Sequence, residues 1–299
     1  MNVQHLKLFV RVAALHNISQ AGSELGLSAA VASAQLNKLE QSLGVRLLHR
    51  STRRVALTDE GKAFLPHAED VLASVEAAQE VIGGAGSEPA GTLRIAASAS
   101  FGRMHLIPAL AAFNLRYPKI NVDLRLSDTI VDLIEGGFDM AIRIAALPDS
   151  TLVARKLATD KRILFASPDY LARHGTPQSL EQLKEHNCIT LAGLDLWAFD
   201  SSEGIKTVKV QGSLRIDNGE AVRDACVAGM GLAISSTWCA YHHVLRGELI
   251  PILTAFPLQE RTAIWSVRPN ARMMPHRVRV FIDFLEERFG SPPYWDLAQ

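Results

Sequence analysis

Residues 19–40 read SQAGSELGLSAAVASAQLNKLE, and no other stretch of the chain restricts its fold so tightly. The pattern predicts two short helices joined by a tight turn. Ser19 is placed to cap the first, because its hydroxyl can accept from the unpaired amides of an opening helical turn. Gly26-Leu27 ends that helix, and Ser28 caps a second one running to about Ser42. On a helical wheel Ala32, Leu36, Leu39 and Leu43 form a buried stripe. The opposite face carries Ala30, Ser33, Ala34 and Asn37, with Ala29 at its N-terminal edge. That face is small and polar, so it can approach another surface closely. A helix-turn-helix with residues 28–42 as recognition helix fits this pattern, and so does an ordinary helical hairpin.

The flanking residues separate the two. Leu47 to Thr58 has the form of a hairpin wing with His49, Arg50, Arg53 and Arg54 gathered at its tip. Up to Lys62 the cations are Lys7, Arg11, Lys38, Arg46, Arg50, Arg53, Arg54 and Lys62, against Glu24, Glu40, Asp59 and Glu60. The whole chain balances at 31 basic and 31 acidic residues, so this excess is local. A positive patch on a neutral protein is what a phosphate-binding module carries.

Several residues then fall in a familiar order and spacing: Leu6 to Phe9, the Ser19–Leu27 turn, Ser33, Leu36, Leu39-Glu40, Leu43-Gly44, Leu47-Leu48, Arg50, and Leu57, Thr58, Glu60 and Gly61. In these, residues 1 to about 90 resemble the N-terminal domain of the LysR-type transcriptional regulators, and the family's two-part plan fits all 299 residues. The family commonly has Gln-Pro after the capping serine and a long polar side chain after the second serine. Here Ala29-Ala30 and Ala34 stand in those places. Alanine can touch a thymine methyl but cannot hydrogen-bond a base edge, so readout leans on Ser33, Asn37 and DNA shape, favouring an A·T-leaning half-site. The expected DNA-contacting set is Ser28, Ala29, Ala30, Ser33, Ala34, Asn37 and Lys38 on the helix, with Arg53 and Arg54 of the wing on the backbone or in the minor groove.

The expected domain plan is a winged helix-turn-helix over 1–58, a long linker helix over 59–82, a hinge over 83–91 and an effector domain over 92–299. Thr58 caps the linker helix, and Leu65, Ala68, Leu72, Val75, Gln79 and Ile82 form a seam suited to a partner helix. Pro66 bends it locally. Residues 83–91, GGAGSEPAG, cannot sustain a helix or strand. Strands and helices alternate afterwards: strand 93–97, helix 101–117, strand 121–126, short helix 130–135, strand 138–144, and on to a strand over 262–267 and a helix over 276–289. This is α/β with a largely parallel sheet, whose ligands sit at the carboxyl ends of strands. The resemblance implies a two-lobed, periplasmic-binding-protein-like domain, with lobe I over about 92–160 and 266–299 and lobe II over about 161–265. The chain would cross near 157–163 and 265–269.

Ser98, Ser100 and Phe101 join the first strand to its helix, where free amides and hydroxyls suit an anion. Ser127, Asp128 and Thr129 hold the corresponding place after the next strand. Arg143 closes an apolar strand and either pairs with an acid such as Asp139 or points into the cleft, where arginine suits a carboxylate. Asp195, Asn218 and Ser235 complete the candidate set from the second lobe. Together these residues point to a small, carboxylate-bearing effector. The resemblance further implies a homo-oligomer, a dimer of dimers on double-stranded DNA, with RNA polymerase a candidate partner.

Other functions find little support. There is no Gly-x-Ser-x-Gly elbow, Walker loop or three-glycine fingerprint, so no enzyme and no cofactor are expected. Cys188, Cys226 and Cys239 are scattered and read as small buried hydrophobes, and no metal-ligand spacing is present. No signal peptide or membrane-length apolar run occurs, which points to a cytoplasmic protein without a membrane partner. A solute-binding protein is the competing class, and the basic N-terminus argues against it. The proline-aromatic tail from Phe289 to Asp296 is expected to pack back on the first lobe.

Overall fold

A computed structural model describes residues 2–50, 55–82, 88–129, 131–134, 136–146, 152–201, 204–259, 262–269 and 274–296. Helix α1 (Val3–Leu15) stops at His16, whose left-handed backbone (φ 52°) reverses the chain. Helix α2 (Ile18–Glu24) is capped by Asn17, which accepts from the Gln20 amide at 3.0 Å, rather than by Ser19, which lies inside the helix. Asparagine caps as well as serine does, and the early reversal at His16 starts the helix before Ser19 is reached. Helix α3 (Ala29–Leu43) has the expected cap: Ser28 Oγ accepts from the Val31 amide at 3.3 Å. The two helices cross where α2 presents Gly22; a Cβ there would lie 2.9 Å from Ala32 Cβ. Strands β1 (Leu48–Arg50) and β2 (Val55–Leu57) form the antiparallel wing, and Arg53 and Arg54 lie outside the described residues.

Helix α4 (Asp59–Ile82) begins at Thr58, whose hydroxyl accepts from the Gly61 amide and donates to the Arg46 carbonyl. Leu65 and Ala68 are buried with Leu6, Phe9, Leu36 and Leu39 in the N-terminal core, and Leu72 packs against them. The first half of the expected dimer seam is therefore used by the subunit itself, because α4 packs along α1 and joins the core that α1 makes with α2 and α3.

Strand β3 (Gly91–Ala97) opens the second half, so the C-terminal end of the expected hinge is already strand. A helical stretch follows as α5 (Ala99–Phe101), a π-helical turn (Gly102–Leu106) and α6 (Ile107–Arg116). One continuous helix was expected there. Pro108 has no amide to donate back along the helix, and the preceding turn widens so that the Ile107 amide reaches the Gly102 carbonyl. Strands β4 (Ile120–Leu126), β5 (Met140–Ala145) and β6 (Val153–Thr159) complete the outward path. Between β4 and β5 the described residues 131–134 are irregular and then turn, where a short helix was expected; the Gly136, Gly137 and Phe138 amides close the turn onto the Asp132, Ile134 and Leu133 carbonyls.

The chain then runs through β7 (Arg162–Ala166), α7 (Pro168–His174), a 3-10 turn (Glu181–Glu185), β8 (Cys188–Leu191), the hairpin β9 (Leu196–Ser201) and β10 (Gly204–Lys209), β11 (Arg215–Ile216), α8 (Gly219–Val227), β12 (Leu232–Ser236), α9 (Thr237–Leu245) and β13 (Ile250–Pro251). It returns through β14 (Ala263–Arg268) and ends on α10 (His276–Phe289). Two five-stranded sheets result, in the orders β4-β3-β5-β14-β6 and β11-β8-β12-β7-β13. Each is mixed rather than largely parallel. The β3 and β8 neighbourhoods are parallel, while β14 and β7, the first strands after each crossing between lobes, run against both neighbours. The two crossings meet at Asp160 and Thr262, where the Thr262 hydroxyl donates to Asp160 at 2.6 Å. The second crossing thus comes before β14, not near 265–269, and the return to lobe I starts at Ala263 instead of 266.

Lobe I buries Leu93, Ile95, Phe113, Phe281 and Phe289 between its sheet and helices, and Trp238 of α9 reaches across from lobe II into the same core. Trp295 of the tail is fully buried there, as expected for packing on the first lobe.

Candidate functional site

The outward face of α3 is built by the stripe behind it. Ala32, Leu36 and Leu39 are buried, which leaves Ser28, Ala29, Ala30, Ala34, Asn37 and Lys38 exposed and Ser33 half-buried. The face is thus small, polar and next to the wing. One acidic residue that the charge pattern had scored only against DNA binding turns out to be structural. Glu40, on the half-buried side of α3, accepts from the Leu47 amide at 2.8 Å and the Leu48 amide at 3.0 Å, fixing the start of the wing.

At the cleft, Ser98 precedes α5 with an extended backbone, yet its side chain makes no capping hydrogen bond. The cap is supplied instead by Asp128, whose Oδ1 accepts from the Ala99 amide at 3.0 Å. Its other oxygen accepts from Asn218 Nδ2 of the second lobe at 3.2 Å. Asn218 Oδ1 meanwhile caps α8 by accepting from the Ala221 amide. Ser127 and Thr129 bond one another, Oγ to Oγ1, at 2.6 Å. The structure therefore brings Ser98, Asp128 and Asn218 to one place, with Ser127 and Thr129 beside them.

Other candidates fall elsewhere. Phe101 is fully buried against Trp238, Phe289 and Trp295, a core residue and not a cleft one, because the α5 turn points it into the sheet's helix layer. Arg143 does not pair with Asp139; its guanidinium donates to the Val131 carbonyl at 3.0 Å and holds the loop after β4. Asp139 is taken by Arg277 at 2.9 Å and by the Arg94 amide. Asp195 is exposed at the start of the β9 hairpin, and Ser235 is 6% exposed within β12, where its hydroxyl bonds the Ser236 carbonyl at 3.5 Å and the Cys239 thiol.

Sequence reading missed the groups that tie the lobes together. Arg103 of the π turn pairs with Glu220 of α8, and the buried Arg223 contacts Glu220, Asp224, the Cys239 carbonyl and Met104 Sδ. The Glu220–Arg223 spacing signals a same-helix pair, but nothing local announces a partner in the other lobe. His105, 1% exposed, is the second tie. Its Nε2 lies 3.0 Å from the Trp238 carbonyl and its Nδ1 2.6 Å from the Tyr294 hydroxyl. A neutral ring satisfies both, donating from Nε2 and accepting the tyrosine proton at Nδ1. Burial, aided by nearby His242, pushes the His105 pKa down from 6.5 to about 4 although the Trp238 carbonyl opposes this. The unfolded chain then takes up the proton first. Stability is complete above pH 6.5 and falls as pH drops toward 4, by at most about 3 kcal/mol. His105→Gln should flatten that slope in denaturant titrations between pH 7 and 4; an unaltered slope would assign the acid sensitivity to other groups.

The cysteines are buried, and desolvation pushes the thiols of Cys188 and Cys226 up to about 12 and that of Cys239 upward, which disfavours thiolate chemistry. Among the described residues no cluster of three or more His, Cys, Asp or Glu is placed to hold a metal, and no helix is long and apolar enough to cross a membrane.

A winged helix-turn-helix joined by a long helix to two α/β lobes defines a ligand-responsive transcription factor. The chain belongs to the LysR family of transcriptional regulators: residues 3–62 match the bacterial regulatory helix-turn-helix proteins of the lysR family and residues 86–290 the LysR substrate binding domain. It is 35% identical over 290 residues to the HTH-type transcriptional regulator DmlR of Escherichia coli (strain K12), covering 96% of this chain and 94% of that protein. It is similar to the structure of CrgA, a LysR-type regulator from Neisseria meningitidis, at 33% identity and a TM-score of 0.61, covering 96% of this chain and 98% of the other. Full-length OxyR from Pseudomonas aeruginosa, at 16% identity, shares the fold with a TM-score of 0.69 over 95% of this chain and 94% of that one.

Proposed function

We propose that the protein is a homo-oligomeric regulator that reads operator DNA with Ser28, Ser33, Asn37 and Lys38, while Ala29, Ala30 and Ala34 keep α3 close to the groove. Arg53 and Arg54 of the wing grip the backbone or the minor groove. The residues of α4 beyond the self-packed Leu65 and Ala68 pair subunits, and a dimer of dimers spans the promoter. The effector is a small carboxylate-bearing molecule bound between the lobes. The single observation that carries this reading is the Asp128 carboxylate on the Ala99 amide, beside a Ser98 hydroxyl that makes no capping bond. An amide that holds an internal carboxylate suits an external one. The effector takes that amide, Asp128 gives up Asn218, and the lobes shift. Such a ligand acts only through its preference for one arrangement over the other.

The test is footprinting of purified protein on the intergenic DNA upstream of its own gene, across a salt series and with a panel of mono- and dicarboxylates. Protection over several turns, weakening steeply with salt and altered in extent by one carboxylate, is the expected result. Replacing Ser33 and Asn37 together by alanine should lower specific affinity about 10- to 100-fold and leave salt-dependent nonspecific binding in place. Unchanged specificity in that variant would remove α3 as the reading element.

A further inference from the structure

The helix-turn-helix rests on lobe I of its own chain, and the contact forms a solvent-open cavity of about 700 Å³. It lies at the amino ends of β3 and β5, whereas Ser98 and Asp128 lie at the opposite, carboxyl end. Arg94 is four residues before Ser98 along the chain, roughly 13 Å away. The cavity is thus separate from the cleft between the lobes. One wall is apolar, with Val10 and Ala14 of α1, Leu25 after α2 and Leu72 of α4.

The other wall is charged, and its charges are unevenly satisfied. Glu24 accepts from Arg11, Asp139 from Arg277, and Glu88 pairs with Lys119. Arg94 is not so well served. Its Nη2 is 3.5 Å from Glu24, its Nε 3.9 Å from Asp123, and that buried Nε has no hydrogen-bond partner among the described residues. Among the described residues the Arg268 side chain donates to the adjacent Pro269 carbonyl at 3.3 Å. Burial lowers the pKa of both arginines, the mark of cations stripped of water without full compensation. Arg94 and Arg268 both line the cavity from the strands on either side of β5, about 10 Å apart at the backbone; the strand register sends them to opposite faces, so the cavity joins them around the end of the sheet. Glu69, for which no ion pair is seen among the described residues, is raised to about 7 by burial, helped by the neighbouring Asp70 charge, so its negative charge is only partly present at neutral pH.

We propose that this junction is a second ligand site, taking a small organic monocarboxylate with an apolar body, its carboxylate on Arg94 with Arg268 as the second cation. The volume suits a molecule of that size. The ligand competes with Glu24 for Arg94, and Glu24 belongs to α2 of the helix-turn-helix. Occupation therefore loosens the hold of lobe I on the DNA-binding domain, a coupling that works in both directions.

The experiment is calorimetric titration of the full-length protein with 4-phenylbutyrate up to about 10 mM. Saturable binding is expected, weakened about tenfold or more by Arg94→Gln, strengthened severalfold by Glu24→Gln, and unmoved by Ser98→Ala at the cleft. Should Arg94→Gln fail to fold, Arg268→Gln must show the same direction of loss. Absence of saturable binding overturns the proposal. So does binding that Ser98→Ala abolishes, or binding that neither arginine variant weakens. Because Ser98→Ala reports on the cleft separately, failure here leaves the effector reading standing, and the reverse also holds.

Discussion

Trp295→Ala should destabilise the effector domain by about 3–5 kcal/mol, seen as a lowered midpoint in denaturant unfolding. The indole is fully buried, with ring centroids 4.8 Å from His105, 4.8 Å from Tyr294, 5.1 Å from Phe289 and 6.1 Å from Phe101. Removing it opens a hole in a cluster that both lobes share, since Trp238 of α9 packs edge-on against Phe101 and His105. The loss should therefore also free the lobes from each other, and limited proteolysis near the crossing at Asp160 should quicken. The indole Nε1 has no hydrogen-bond partner among the described residues. Trp295→Phe keeps most of the packing and removes that orphan donor, so it should cost far less, within about 1–2 kcal/mol. If the alanine variant unfolds at the wild-type midpoint, the tail does not belong to the core.

The tail's packing was legible only as one of two places for two aromatics after two prolines, the first lobe or a neighbouring subunit, and burial of Trp295 selects the first. The helix-turn-helix was legible for a stronger reason: its signals are local, and cap, turn glycine and apolar stripe lie within one or two helical turns of each other. Even there, Asn17 displaced Ser19 as cap, since both residues suit the role and only the reversal at His16 decides between them. What failed was non-local. Arg143 looked like either a pair for Asp139 or a ligand, but Arg277, more than a hundred residues on, takes that acid. β14 reads as a strand, yet its membership of the first sheet depends on where the return crossing occurs. The β9–β10 hairpin buries Trp197, Phe199 and Val208 on one face, a period-two signal that the sequence reading passed over. Phe101 illustrates the limit at the cleft. Sequence places it beside Ser98 and Ser100, and only the direction of the helix start sends its ring into the core.

Glu40→Ala should impair DNA binding more than any single substitution on the exposed face of α3, although Glu40 lies outside the proposed DNA-contacting set. The carboxylate holds two consecutive amides, and the side chains they carry, Leu47 and Leu48, are 1% and 2% exposed. Hydrogen bonds to a charged acceptor contribute roughly 1.5–3 kcal/mol each, and the alanine variant leaves both amides in a place water reaches poorly. A loss of about 3 kcal/mol or more from the N-terminal domain follows, since removal strands two donors at once. The structural consequence is specific. β1 begins at Leu48, so the same two bonds set the angle between recognition helix and wing. The domain that remains folded would present α3 and the wing out of register, and both must meet one stretch of duplex. Fluorescence anisotropy should show operator affinity reduced by about 100-fold, while the effector domain unfolds as in the wild type. Glu40→Gln retains a carbonyl oxygen for one or both amides and should recover much of the affinity. Operator binding within about twofold of wild type in Glu40→Ala would mean that the wing does not need this anchor, and that α3 alone sets the affinity.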